Sequence, residues 1–150
     1  MNFSEIAKRY EENSIVQTSA GEKLLKLLNI GEFEDVLDLG CGTGKLTAEI
    51  RKLTKGRVVG VDVSEGMIEE ARKNASDVEF IVKAAEEIDF KEEFDVIFCN
   101  SAFQWFNPHK ALERCFKALK PGGRIGVQAP AKKNYCPNFI KAIKEVKNPR

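Results

Sequence analysis

The chain has 150 residues, 43% apolar and 31% charged, which bounds it to one globular domain with an ordinary core and excludes intrinsic disorder. Twenty-four Lys and Arg stand against 23 Asp and Glu, and this interspersed net charge of +1 offers no basic excess for a phosphate backbone or an anionic membrane, so no nucleic-acid partner is expected. No apolar run approaches the roughly 18 residues of a membrane span, and the opening MNFSEIAKRYEENS lacks the apolar stretch of a signal peptide, so no membrane association and a cytoplasmic location are expected.

In chain order, two helices (about Phe3–Glu12 and Thr18–Leu28) precede any strand and could lie over a ligand-binding edge. Strand candidates then follow at Asp35–Leu39, Arg57–Asp62, Val78–Lys83, Phe94–Cys99 and Ile125–Gln128, each separated from the next by one helix-length segment. In the first of those segments Leu46, Ile50 and Leu53 share a face. In the second Ser64 can cap a helix carrying Met67, Ile68 and Ala71. Asn107-Pro108 opens another helix with Ala111, Leu112, Cys115 and Leu119 inward and Pro121-Gly122-Gly123 as its stop. A last helix candidate covers Pro137–Val146, and Lys132, Lys133, Lys141, Lys144 and Lys147 read as the wet face of this terminal segment. The alternation predicts a single α/β domain over 1–150, with N-terminal helices to about residue 30, a core over 35–130 and a terminal helix over 131–150. Its sheet is doubly wound and mostly parallel, with helices on both faces.

The four cysteines, Cys41, Cys99, Cys115 and Cys136, contain no CxxC pair and face a single His109, so they predict neither a metal site nor a disulfide framework but buried thiols. His109 itself reads as solvated.

In a doubly wound sheet the ligand crevice opens at the carboxyl ends of the strands, so the informative residues should follow strands directly. After the first strand comes Asp38-Leu39-Gly40-Cys41-Gly42-Thr43-Gly44, with a helix starting at about Lys45. Glycines allow a tight turn and let a ligand approach the backbone beside the N–H groups of a helix start. Asp62, ending the second strand 18 residues beyond Gly44, can accept hydrogen bonds from both hydroxyls of a ribose. A dinucleotide GxGxxG would need glycine where Lys45 stands, which disfavours pyrophosphate as cargo and a nicotinamide-dependent reductase with it.

Taken together, VLDLGCGTG, VVGVDVS, FDVIFCNSAFQWF and LKPGGRIGVQAP resemble the ordered motifs of class I S-adenosyl-L-methionine-dependent methyltransferases, from about Val36 to Pro130. The resemblance implies a Rossmann-like sheet of order 3-2-1-4-5 that takes S-adenosyl-L-methionine. By that likeness Asp38 and the turn Gly40, Cys41, Gly42 and Gly44 hold the methionine part, Asp62 the ribose, and Val63 and Met67 the adenine faces. Ala85 and Glu86 would lie beside the adenine amino group. Many relatives carry Asp where Ala85 stands, so that contact falls to the backbone or to Glu86. Asn100 would offer its carbonyl to the methionine ammonium.

Within the family, the helical opening and the NSAFQWF segment are most similar to the trans-aconitate and malonyl-carrier-protein carboxylate O-methyltransferases. The acceptor expected on that likeness is a small or carrier-bound molecule, with Tyr10, Gln17, Phe103, Gln104 and Trp105 as its pocket wall. A carboxylate is already a nucleophile at neutral pH, so no catalytic base and no metal are expected and positioning suffices. The alternative is a non-catalytic module that keeps the fold or binds the cofactor and acts through a partner chain.

Family members usually continue beyond the fifth strand into a further helix and two more strands. Here the sequence ends at Arg150, so the expectation is a sheet lacking those last two strands. The Ile125–Gln128 strand would then be an open edge, covered by the terminal helix or by a second copy in a homodimer or swapped segment, with methyl transfer weak or absent even when cofactor binds.

Overall fold

Five runs rich in Val, Ile and Phe form strands because β-branched and aromatic side chains fill both faces of a sheet buried between helices. A computed structural model of the chain describes residues 18–100, 106–130, 137–138 and 144–145. It places β1 at Val36–Leu39, β2 at Val58–Asp62, β3 at Glu79–Val82, β4 at Phe94–Asn100 and β5 at Leu119–Pro130. These five strands run parallel in the order 3-2-1-4-5. Helices alternate with them: α1 over residues 18–28, α2 at Lys45–Leu53, α3 at Glu65–Asn74 and α4 at Pro108–Ala118, with a single 3-10 turn at Ala85–Glu87 after β3.

Period-2 alternation along the strands separates the two faces. Val36, Val58, Val96 and Phe98 pack with Leu24, Leu25 and Leu28 of α1 and Ile50 of α2. Their neighbours Leu37, Leu39, Val59, Val61, Ile97 and Cys99 point the other way, into a core shared with Ala111, Cys115 and Ala118 of α4. Ile68 and Ala71 of α3 close a third cluster over Phe80 of β3. The Ser64 hydroxyl accepts from the Met67 N–H at 3.2 Å and the Asn107 side chain from the Lys110 N–H at 3.2 Å, so α3 and α4 start where their capping residues stand.

Under the sheet, at the amino ends of the strands, an ion network ties the elements together. Lys120 bonds Asp35 at 2.7 Å and Asp95 at 3.2 Å, Arg57 bridges Glu79 and Glu93, and Arg124 forks onto Glu34. The Arg124 fork and the Lys120 hydrogen bond hold the Glu34 and Asp35 carboxyls below their ordinary values, for Asp35 against a burial effect that raises it.

Several expectations are corrected. The terminal segment forms no helix over Pro137–Val146 among its described residues. It supplies two short strands, β6 at Pro137–Asn138 and β7 at Lys144–Glu145, antiparallel to β5. They pair with Ala129 and Pro130, and with Arg124 and Ile125, so at these positions this chain itself gives the outer edge of β5 ladder partners where a covering helix was expected. The fifth strand starts at Leu119, six residues earlier than predicted. Pro121-Gly122-Gly123 is a bulge within it, and pairing jumps from Phe94 with Leu119 to Val96 with Arg124. Leu53, expected inward, is 43% exposed at the last position of α2, and the buried side chains of that helix are Thr47 and Ile50. In α3 Ile68 and Ala71 fill the core, and Met67 stays exposed, free for the ligand side where the resemblance puts it. Cys99 and Cys115 are buried thiols, burial pushing Cys115 up to about 12, but Cys41 is only half-buried in its turn. His109 is exposed at the start of α4, as expected. Tyr10, Gln17, Phe103, Gln104, Trp105, Cys136, the helix expected over Phe3–Glu12 and the expected lysine face lie outside the described residues, Lys144 being described in its backbone only.

Candidate cofactor site

The carboxyl ends of β1, β2 and β3 open into one cleft of about 340 Å³, lined by Gly40, Val61, Asp62, Val63, Lys83, Ala84, Ala85, Glu86 and Phe106. The chain reaches this place by a turn that only glycine tolerates. Gly42 and Gly44 have φ of +56° and +79°, in the left-handed region. A Cβ at Gly44 would lie 2.9 Å from the Cα of Ala71, so that glycine also lets α2 start against α3. At Gly42 a Cβ would meet nothing within 4 Å, which leaves its backbone face open to an incoming molecule. The first turn of α2 has no side-chain cap and no acidic residue, so its positive end is left to act on a ligand.

Asp62 is the organised charge of the cleft. Its Oδ2 accepts from the Gly42 N–H at 2.9 Å and its Oδ1 from the Ser64 N–H at 3.0 Å. Each oxygen keeps lone-pair capacity beyond that one bond, so a carboxylate fixed by two backbone donors can still accept from a vicinal diol. Val63, 72% exposed, and Met67, 38% exposed, stand beside it as apolar surface at the start of α3. An anion flanked by apolar side chains and a glycine backbone suits a ribose with a flat base next to it. The residues present thus fit a nucleoside.

Asp38 lies beneath the turn and is 2% exposed. Its Oδ2 accepts from the Thr47 hydroxyl at 2.7 Å. Burial drives its carboxyl up to about 7, the Thr47 bond opposing and repulsion from Asp62 adding. Burial also pushes the Cys41 thiol well above its ordinary value, with Asp38 and Asp62 reinforcing the shift, so Cys41 is no nucleophile.

The structure therefore brings Gly40, Asp62, Val63, Ala85 and Glu86 to one cleft, with Cys41, Gly42 and Gly44 in the turn beside it. Ala85 is itself buried in the α4-side core, so it presents little side chain. Glu86 accepts from the Asn107 N–H at 3.0 Å, which commits one oxygen to the start of α4. Asn100 ends β4 and packs against Gly21 of α1, where a Cβ would come 2.9 Å from its Nδ2.

Sequence reasoning missed Thr47, Lys83 and Phe106. Lys83 follows β3 directly, and its N–H donates to the Asp62 carbonyl at 2.9 Å, so the rule of looking just past strand ends would have found it. Phe106 carries no such signal, because it reaches the cleft from the connection before α4. Among the described residues no group of three or more His, Cys, Asp or Glu could hold a metal, and no helix is long and apolar enough to cross a membrane.

Comparison with known proteins agrees with this geometry. The family described as "Methyltransferase domain" matches residues 36–123. A malonyl-[acyl-carrier protein] O-methyltransferase of Priestia megaterium is 36% identical over 130 residues, covering 82% of this chain and 47% of the relative. A trans-aconitate 2-methyltransferase of Variovorax paradoxus is 34% identical over 126 residues, covering 82% and 48%. The chain thus spans about half the length of these relatives. Among solved structures, the phosphoethanolamine N-methyltransferase 2 of Haemonchus contortus, in complex with phosphomonomethylethanolamine and S-adenosylhomocysteine, superposes with a TM-score of 0.67 at 26% identity, over 74% of this chain and 28% of that one. With the sheet order, the glycine turn and the aspartate after β2 all in place, the chain belongs to the S-adenosylmethionine-dependent methyltransferase family.

Proposed function

We propose that this chain binds S-adenosyl-L-methionine in the β1–β3 cleft and serves methyl transfer to a small or carrier-bound carboxylate. The observation that carries the reading is Asp62, whose carboxylate is held by the Gly42 and Ser64 N–H groups at the mouth of a glycine turn. In this reading Asp62 accepts the ribose hydroxyls, Val63 and Met67 cover the base, and Ala85 and Glu86 border its amino edge. The backbone of Gly40 and Gly42 admits the methionine portion, with Asp38 beneath it and Asn100 from β4 beside it. When bound, the sulfonium compound supplies a methyl group already activated for displacement. The protein's part is then to align the acceptor and keep water away, which orientation alone can make worth roughly 7–11 kcal/mol of the barrier.

A carboxylate acceptor is favoured because the relatives' names give malonyl-carrier protein and trans-aconitate, both of which carry carboxylates. Such an acceptor is ionised from about pH 5 upward and needs no general base. The remaining sequence candidates for its wall, Tyr10, Gln17, Phe103, Gln104 and Trp105, belong to this proposal. The test is methyl transfer from labelled S-adenosylmethionine to malonyl-carrier protein and trans-aconitate across about pH 6–9. Turnover that stays level over this range supports the reading, whereas a rate climbing steeply with pH points to an amine, thiol or phenol. Binding without turnover on any carboxylate would instead favour a cofactor-binding module acting through a partner chain.

A further inference from the structure

The glycine turn after β1 is held from behind by the far end of α3. Asn74, the last residue of that helix, is exposed, yet its Nδ2 donates to the Thr43 carbonyl at 2.7 Å across 31 residues of sequence. An exposed asparagine at a helix end ordinarily bonds water or nearby backbone of its own segment. This one closes a long-range bond onto the turn. One helical turn earlier, the Cα of Ala71 lies 2.9 Å from where a Cβ on Gly44 would stand. At the opposite end of α3 the Ser64 N–H donates to Asp62 Oδ1, and Met67 stands exposed in the first turn. A single helix therefore reaches from the Asp62 side of the cleft to the glycine turn.

The bond to Asn74 completes a set. The peptide joining Thr43 to Gly44 has its carbonyl taken by Asn74 and its N–H by the Cys41 carbonyl at 3.1 Å. The peptide joining Cys41 to Gly42 has that same Cys41 carbonyl committed, and its N–H donates to Asp62 Oδ2 at 2.9 Å. Between these two pinned planes lies the peptide joining Gly42 to Thr43, on the side where a Cβ at Gly42 would meet nothing within 4 Å. Glycine passes readily between positive and negative φ, so in a turn with φ of +56° at Gly42 and +79° at Gly44 the hydrogen bonds must choose the conformation. Asp62 supplies that choice from the ligand side and Asn74 from behind.

Resting on the cofactor reading above, we infer that Asn74 is a positioning residue, which through Thr43 sets the orientation of the turn peptides that receive the amino-acid end of the cofactor. Its loss lets the unliganded turn populate other conformations, and the apparent dissociation constant rises as the competent fraction falls. The base and ribose, seated on Asp62, Val63 and Met67, do not depend on it, because Asp62 keeps its Ser64 donor.

Isothermal titration with S-adenosylhomocysteine and with methylthioadenosine, which keeps the base, ribose and sulfur but lacks the amino-acid end, tests this. Asn74→Ala should raise the dissociation constant of the first by about 3- to 10-fold, the worth of one neutral hydrogen bond, and leave that of the second within about twofold. Asn74→Asp, close in shape but without a donor, should act in the same direction, and melting curves confirm that both variants fold. Amide hydrogen exchange in the unliganded protein should quicken at Gly42 and Gly44 of Asn74→Ala while β1 holds, and it carries the test if methylthioadenosine binds too weakly to measure. Unchanged affinity for S-adenosylhomocysteine, an equal loss for both ligands, or unchanged exchange at the turn overturns the inference while leaving the cofactor reading intact. If the parent does not bind S-adenosylhomocysteine, the cofactor reading falls and takes this inference with it.

Discussion

Replacing Asp62 with asparagine separates the two tasks of this residue. The parent carboxylate accepts from Gly42 N–H at 2.9 Å and Ser64 N–H at 3.0 Å, one on each oxygen. Asparagine has one carbonyl oxygen, so one backbone donor loses its acceptor and faces an amide NH₂ instead. Gly42 and Ser64 are half-buried, and water recovers part of the loss. A cost of about 1 kcal/mol in stability follows, which lowers the melting temperature by about 2–4 °C in a chain of this size. The ligand suffers more: a diol that met a charged acceptor now meets a neutral one flanked by a donor. Hydrogen bonds to charged groups contribute about 1.5–3 kcal/mol, so affinity for S-adenosylhomocysteine should fall by roughly 10- to 150-fold. Scanning calorimetry measures the first effect and isothermal titration the second. An affinity within about twofold of the parent, in a variant whose melting temperature confirms that it folds, would refute the assignment of Asp62 to the ribose.

Gly44→Ala forces a left-handed backbone and a contact with Ala71, so it should cost about 2–5 kcal/mol in urea unfolding; Gly42→Ala, facing open space, should cost only about 1–2 kcal/mol and lose ligand affinity instead. The ion network gives a signed pH dependence. Glu34 and Asp35 are held below their ordinary values in the fold, so the stability they contribute is present above about pH 4–5 and is lost as pH falls through their folded values. Arg124→Met, which removes the fork from Glu34, should flatten the acid limb of a urea-midpoint profile, and an unchanged limb would show that this pair contributes nothing to it.

What could be read before folding was whatever depends on near neighbours in sequence. Strand patterning, the Ser64 and Asn107 caps, the glycine turn and Asp62 after β2 are local, since periodicity, capping and left-handed φ are set within a few residues. Parallel pairing followed too, because alternating strands and helices admit few connections, while the strand order 3-2-1-4-5 came from the family resemblance. The ends of the molecule were another matter. That Pro137–Asn138 and Lys144–Glu145 became strands was decided by the outer edge of β5, whose backbone groups need partners that no local pattern can announce. Pro121-Gly122-Gly123 reads locally as a helix stop, yet pairing with β4 on either side of it makes it a bulge inside a strand. The same holds for Asp38. From sequence it is one more acidic residue in a turn motif, but its charge state depends on burial, on Thr47 nine residues later and on Asp62 from the next strand. Electrostatic energy is a property of the assembled surroundings, so only the tertiary structure could set it.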